Sequence, residues 1–316
     1  MEVTLNVKRF NPESDDQVNI YQEYKLEVED YFTVLDALIK VREEVDGSLS
    51  LRCSCRASIC GSCSMRVNGH AKLACKTKIT DVSTEGKPVT IEPMGNMPVI
   101  KDLVTDMKPF WDTVRAVQPY LQPHGEEPER EYTASSESML HLTGVMSCIM
   151  CGACVSDCTA LEVDKNFLGP AALAKAYRFV GDPRDDADDK RLSMYSESGG
   201  IWDCTRCMEC VEVCPKGVAP MDRIMSLRDK AIVAGYSDNN GARHTEAFTE
   251  SIKQSGHLDE LRLPIKTFGM FNIPALLGLL PVGIRAFRRG KVPPIFHKSI
   301  PGADKVRRIF EKVDGE

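Results

Sequence analysis

The sequence predicts an α+β protein, with a small strand-rich N-terminal domain of β-grasp type followed by an all-helical domain. Three observations carry this. Apolar residues alternate with period two near the start of the chain. They recur at helical spacing from about residue 105. All 13 cysteines fall in three short clusters, 53–75, 148–158 and 204–214.

In chain order, "VTLNVKRF" places Val3, Leu5 and Val7 on one face, and "YKLEVED" does the same with Tyr24, Leu26 and Val28. Both read as half-buried strands. The period then changes. "TVLDALIKVREEVDG" sets Val34, Leu38, Val41 and Val45 on a helical stripe, with Thr33 as N-cap and Gly47 as the stop. "MRVNGHAKL" carries Asn-Gly between apolar residues, a hairpin signal, and "PVTIEP" supplies a closing strand. "VIKDLVTDMKPFWDTVRAVQPYL" reads as helical and leads to a polar linker, "QPHGEEPEREYTASSE". The helix "PAALAKAYRFV" has Pro170 in its first turn. After it, "GDPRDDADDKR" reads as a solvated loop. These transitions divide the chain into domains at 1–105 and 106–240, with an extension at 241–316.

At 316 residues the chain has room for two or three domains, and its formal charge of −6 argues against general nucleic-acid binding. "MEVTLNVKRF" has no apolar signal region, so the expectation is a chain kept in a reducing compartment. Thirteen thiols there are not a disulfide framework, which would spread its cysteines rather than cluster them at gaps of two and three.

The first cluster reads Cys55-x4-Cys60-x2-Cys63, with Cys75 beyond the hairpin. This is the plant-type spacing for a [2Fe–2S] centre. Ser54, Ala57, Gly61 and Ser62 are small enough to let the loop wrap with its N–H groups turned toward sulfur. Cys53 lies outside the pattern and reads as a half-buried thiol. A zinc site would pair two short C-x2-C units, and only one is present.

The other clusters are two bacterial-type runs, Cys148-x2-Cys151-x2-Cys154-x3-Cys158 and Cys204-x2-Cys207-x2-Cys210-x3-Cys214, the second followed by Pro215. In such runs the fourth cysteine serves the other centre, because three closely spaced thiolates cap one face and the chain cannot curl to reach the last corner. The ligand sets are therefore Cys148, Cys151, Cys154 and Cys214 for one [4Fe–4S] centre, and Cys158, Cys204, Cys207 and Cys210 for the other. The six histidines are scattered and no HExxH, GxSxG or P-loop is present. His70, beside the hairpin turn, reads as exposed rather than as a ligand. The fold class is thus a plant-type ferredoxin domain followed by a helical double-cluster ferredoxin domain, an electron wire with no substrate chemistry of its own.

This order of motifs resembles the iron–sulfur subunit of succinate dehydrogenase and fumarate reductase. The resemblance covers about residues 1–235 and includes "CRASICGSC", "LAC", "PVIKDLVTDM", "NFLGPAALAKAYRF", "DPRDD" and "VCPKG". It implies an electron-transfer subunit between an FAD-containing flavoprotein and a quinone-linked membrane partner. It also implies a cytoplasmic place at the inner face of the cell membrane. The [2Fe–2S] domain would face the flavin and the Cys204 centre would be the exit.

Two departures mark an atypical subgroup. Most members carry a non-ligand residue in place of Cys207 and hold [3Fe–4S] there; Cys207 predicts a second [4Fe–4S] and, by family analogy, a lower potential, with [3Fe–4S] beside an unused Cys207 as the alternative. The quinone-proximal Pro-Ser pair and tryptophan are replaced by Thr159, Ala160 and Glu162 or Val163, and a common histidine by Thr205. The subset it resembles uses a cysteine-rich partner in place of a haem-binding anchor. The rival is the iron–sulfur subunit of a thiol-linked fumarate reductase or heterodisulfide-reductase-like complex.

Residues 267–284, "TFGMFNIPALLGLLPVGI", are uncharged, but Pro274, Pro281 and three glycines argue against an uninterrupted membrane span. From 285 to 312 nine residues are Lys or Arg and two are acidic. The extension reads as a surface for a partner or for a membrane.

Overall fold

The computed structural model describes residues 1–13, 20–84, 86–123, 125, 127–294 and 298–314. They form two compact units, Met1–Lys230 and Ala231–Glu316.

The first unit begins with a five-stranded sheet. Its strands are β1 (Glu2–Arg9), β2 (Ile20–Glu27), β3 (Ser64–Val67), β4 (His70–Leu73) and β5 (Val89–Glu92), in the order β2-β1-β5-β3-β4. β1 and β5 run parallel and the other pairs antiparallel, which is the expected β-grasp arrangement. One face carries Val3, Leu5, Val7, Tyr24 and Leu26, all buried against the helix α1 (Val34–Lys40). Thr33 caps α1 with a capping box: its hydroxyl accepts from the Asp36 N–H, and the Asp36 carboxylate accepts from the Thr33 N–H. Such a cap contributes about 1 kcal/mol. Asn68 and Gly69, both at positive φ, make the β3–β4 turn.

Two expectations fail here for physical reasons. Val45 is 59% exposed rather than part of the core stripe. The last turn, Val41–Val45, is π-helical, and its larger number of residues per turn rotates residue 45 off the buried face. Residues 99–105 are not helical but a short hairpin, β6 (Val99–Lys101) and β7 (Val104–Thr105). Its turn is fixed by Asp102, which is buried at positive φ. The Asp102 carboxylate accepts from Arg9 Nε (3.0 Å), the Phe10 N–H (3.1 Å) and the Ser50 N–H (2.9 Å).

Beyond the hairpin the unit is helical, with α2 (Lys108–Ala116), α3 (Ala153–Ser156), α4 (Gly169–Val180), α5 (Asp188–Tyr195), α6 (Glu209–Glu212) and α7 (Pro220–Val233). α4 is buried along most of its length, through Ala171, Ala172, Leu173, Ala174, Ala176 and Tyr177. The segment 181–191, expected as a solvated loop, is one of the most firmly tied parts of the unit. Asp182, Asp185 and Arg191 are buried. Arg191 pairs with both oxygens of Asp185 at 3.1 Å and donates to the carbonyls of Val117, Gln118 and Tyr120. Asp182 lies between Arg178 and Arg184; hydrogen bonds from Arg184 first, and then Arg178, outweigh its burial and hold it well below the ordinary carboxylate range. The charged residues face inward because the irregular 117–120 segment has carbonyls that need donors.

The regular elements of the second unit are helices, α8 (Asn240–Ser255), α9 (Arg262–Phe268), α10 (Ile273–Gly278), α11 (Leu280–Arg288) and α12 (Ala303–Asp314). α8 packs on α9 and on α12. Pro274 and Pro281 each sit in the first turn of a helix, and Gly269 ends α9 at positive φ. The apolar stretch is thereby divided. Among the described residues no helix is long and apolar enough to cross a membrane.

Candidate iron–sulfur centres

The first cysteine loop, residues 51–63, has no regular secondary structure and lies between α1 and β3. Arg56, Ser58 and Gly61 adopt positive φ, and these reversals turn successive N–H groups toward sulfur. Cys55 Sγ accepts from the N–H groups of Ala57 (3.3 Å), Ile59 (3.4 Å) and Cys60 (3.3 Å), and Cys75 Sγ from that of Ser58 (3.3 Å). Cys60 is held down to about 6, chiefly by the Ser62 hydroxyl and then by N–H donors, whereas burial pushes Cys63 up to about 12. Cys53 is half-buried and packs against the core of the sheet domain. His70 is exposed. His141 bonds the Gly181 carbonyl and His244 the Thr267 hydroxyl; His124 and His297 lie outside the described residues.

The two later runs repeat one backbone course. Met150 and Gly152 in the first, and Arg206 and Met208 in the second, are all at positive φ, and each run then enters a single helical turn, α3 or α6. The turn brings Cys154 and Cys210 inward. Gly152 sits at φ +79°, and a Cβ there would stand 2.9 Å from Met97 Cε, the mobile end of a side chain that can give way. The equivalent Met208 is 41% exposed and has room.

α3 and α6 pack together, and the thiols of the two runs interleave. A cavity is lined by Cys148, Cys151, Cys154 and Cys214, with Phe110, Ala171 and Pro215. Burial pushes Cys151 and Cys154 up, and the charges of the neighbouring thiols, Cys214 included, push further. In the other group, burial first and then Cys207 and Cys204 raise Cys158, against the N–H groups of Leu161 and Ala160. Cys210 is pushed up to about 12 by burial, with Cys204, Cys158 and Cys207 adding to it. Thiols crowded in this way resist ionising together, and a bound cation centre removes the penalty. The donor set and the four-thiol cavity therefore fit iron–sulfur centres. Among the described residues no three His, Cys, Asp or Glu side chains form a site for a single metal ion.

Cys207 differs from its companions. Burial pushes its thiol up, but hydrogen bonds from the Thr159 hydroxyl and N–H, the Glu209 N–H and the Thr205 hydroxyl outweigh that, and the net direction is down. Thr159 and Thr205, singled out in the sequence only as departures, thus both serve the Cys207 thiol. The segment carrying Cys204 is held by Arg228, which is buried, stacks on Trp202 and donates to the carbonyls of Ile201, Trp202 and Cys204.

The sheet domain grips the first run directly. The Asn96 amide donates to the carbonyls of Val155 (2.9 Å), Ser156 (3.2 Å) and Cys158 (3.0 Å). The Asp157 carboxylate accepts from the Ala71 N–H at 2.7 Å. Gly61 approaches Cys151 so closely that a Cβ would lie 2.8 Å from Cys151 Cβ. Of these residues only Gly61 was singled out in the sequence, as a small loop residue. The grip of Asn96 and Asp157 had no local signal.

Comparison with known proteins agrees with this geometry. Residues 4–112 match the family model described as "2Fe-2S iron-sulfur cluster binding domain", and residues 144–218 the "4Fe-4S dicluster domain". The chain is 33% identical over 290 residues to the 8-methylmenaquinol:fumarate reductase iron-sulfur subunit of Wolinella succinogenes, covering 89% of each. It is 38% identical over 224 residues to the fumarate reductase iron-sulfur subunit of Mycobacterium tuberculosis, covering 70% of this chain and 90% of that one. Among solved structures, a chain of the Mycobacterium smegmatis Sdh1 complex in the apo form superposes with a TM-score of 0.68 at 27% identity, covering 75% of this chain and 98% of that one. A sheet domain and a helical domain whose cysteine loops meet, matched over nearly the full length of such relatives, place the chain in the succinate dehydrogenase and fumarate reductase iron–sulfur subunit family, the electron-transfer subunits of those oxidoreductases.

Proposed function

We propose that this chain belongs to the subgroup with three complete four-thiolate centres. The ligand sets are [2Fe–2S] on Cys55, Cys60, Cys63 and Cys75, [4Fe–4S] on Cys148, Cys151, Cys154 and Cys214, and a second [4Fe–4S] on Cys158, Cys204, Cys207 and Cys210. The observation that carries the last assignment is the shared backbone course of the two runs, in which Cys207 stands where Cys151 stands in the first. The net lowering of the Cys207 thiol supports it, since a thiolate is the ligand form.

Bound iron–sulfur centres supply one-electron redox chemistry. The protein's own part is to hold the thiolates in place, aim N–H groups at sulfur and keep water from the Cys154 and Cys210 thiols. The domains are drawn at 1–105, 106–240 and 241–316. The partners are an FAD-containing flavoprotein subunit and a membrane anchor or cysteine-rich quinone-reactive subunit, and the complex lies on the cytoplasmic face of the membrane. The Wolinella relative, named for 8-methylmenaquinol:fumarate reductase, supports a quinone-linked exit, and Thr159 and Thr205 in place of the family's quinone-proximal residues mark that exit as atypical.

The test is electron paramagnetic resonance on the anaerobically purified, oxidised protein, with an iron count. An oxidised [4Fe–4S] centre of this type is silent, so the wild type shows no three-iron signal, and Cys207→Ala gains one. A strong three-iron signal in the wild type that survives anaerobic preparation overturns the assignment.

A further inference from the structure

The second unit carries an apolar surface that none of its described residues covers. Ile273, Leu277, Leu280, Ile284 and Phe287 follow one another at intervals of four and three along α10 and α11, and each is more than half exposed. Phe271, just before α10, is 90% exposed and Phe287 is 75% exposed. Val282 is 55% exposed and falls on the opposite side of α11, because two residues turn the helix by roughly 200°.

Charge is distributed to match. From 261 to 303 the sequence has no acidic residue and seven basic ones. Arg285, Arg288, Arg289 and Lys291 pair with no carboxylate among the described residues. Arg285 and Arg288 lie on one flank of the Leu280–Ile284–Phe287 stripe, where they border the apolar face instead of interrupting it.

We propose that residues 270–291 form an interfacial anchor that lies in the headgroup region of an anionic lipid bilayer. Length rules out crossing: α11 has nine residues, about 14 Å of helix against a hydrocarbon core of about 30 Å. Protein interface cores are depleted in charge, whereas a basic border beside aromatic and aliphatic anchors is the composition of in-plane membrane helices. The inference deepens the peripheral localisation proposed above, and it rests on the surface of this unit alone.

The experiment is flotation of the full-length, cluster-loaded chain with liposomes of phosphatidylglycerol and phosphatidylcholine, compared with phosphatidylcholine alone. The chain floats with the anionic liposomes and binds neutral ones at least about tenfold more weakly. The double variant Phe271→Asp, Phe287→Asp loses binding to both. The triple variant Arg285→Gln, Arg288→Gln, Arg289→Gln loses the preference for anionic lipid. All five positions are exposed, so folding is not at risk, and unchanged visible and paramagnetic spectra verify that the cluster ligation is intact. A wild type that fails to float, or a double-Asp variant that floats undiminished, overturns the proposal. So does a double-Asp variant that keeps its lipid binding but no longer copurifies with the partner subunits, which assigns the patch to protein. Failure of the cluster assignment is seen separately, as a three-iron signal with lipid binding unchanged.

Discussion

Replacing Gly61 by alanine tests how closely the two cysteine loops must approach. The residue sits at φ +73°, and a Cβ there would lie 2.8 Å from Cys151 Cβ and 2.9 Å from Cys151 Cα. Carbon atoms rest at about 3.5–4.0 Å, so the loops must separate by roughly 0.7–1.2 Å. Neither contact is the free end of a flexible side chain, so the separation displaces the segment carrying the Cys151 thiol. The left-handed conformation costs alanine roughly 1–2 kcal/mol, and the overpacking about 1–3 kcal/mol more. Gly69 is the internal control: it is at φ +86° with nothing within 4 Å of a Cβ, so Gly69→Ala carries the backbone cost without the clash. Loss of clusters on heating is irreversible, and its rate is the proper measure. Followed by visible absorbance under anaerobic conditions, Gly61→Ala bleaches about 5- to 150-fold faster than Gly69→Ala where the clash falls wholly on the unfolding barrier. Paramagnetic coupling between the reduced first and second centres also weakens, an effect Gly69→Ala does not share. Equal bleaching rates with unchanged coupling refute the close approach.

Other outcomes follow from the buried charges. Arg191→Met leaves Asp185 buried without its partner and the carbonyls of Val117, Gln118 and Tyr120 without a donor. It costs about 3–5 kcal/mol, and chemical denaturation reads this as a lowered midpoint. The Asp188 carboxyl is pushed up to about 6, chiefly by burial; Lys230 and Arg191 pull it down while Asp185 and Asp186 add to the rise. Its Oδ1 has no hydrogen-bond partner among the described residues. A carboxyl raised in the folded state favours folding while protonated, so this contribution is lost as pH rises from about 4 through about 6. Asp188→Asn therefore stabilises the protein at pH 7 by about 1 kcal/mol, after allowing for partial solvation, and gives no gain near pH 4. Thermal unfolding at the two pH values reads the difference. Thr159→Val removes a donor to the Cys207 thiol and lowers the reduction potential of the Cys204 centre while leaving the other two unmoved, as a redox titration with paramagnetic detection reports.

Local rules settled a large part of this molecule before any packing was considered. The alternation of Val3, Leu5 and Val7, the Thr33 cap and the Asn68-Gly69 turn each act within a few residues, and all appear in the fold as read. The misreadings arose where distant partners decide. Residues 99–105 carry a helical pattern but are pinned as a hairpin because Asp102 meets Arg9, Phe10 and Ser50 across the domain. The segment 181–191 looks solvated because its acids are numerous, yet they turn inward to arginines and stranded carbonyls. Interval alone names the cysteines of each run. That the sheet domain grips the first run through Asn96, Ala71 and Gly61 is a property of tertiary structure alone. The physical reason is reach. Backbone geometry and hydrophobic period are local, whereas the carbonyls of Val155, Ser156 and Cys158 acquire their donor only when a chain segment some sixty residues away folds onto them.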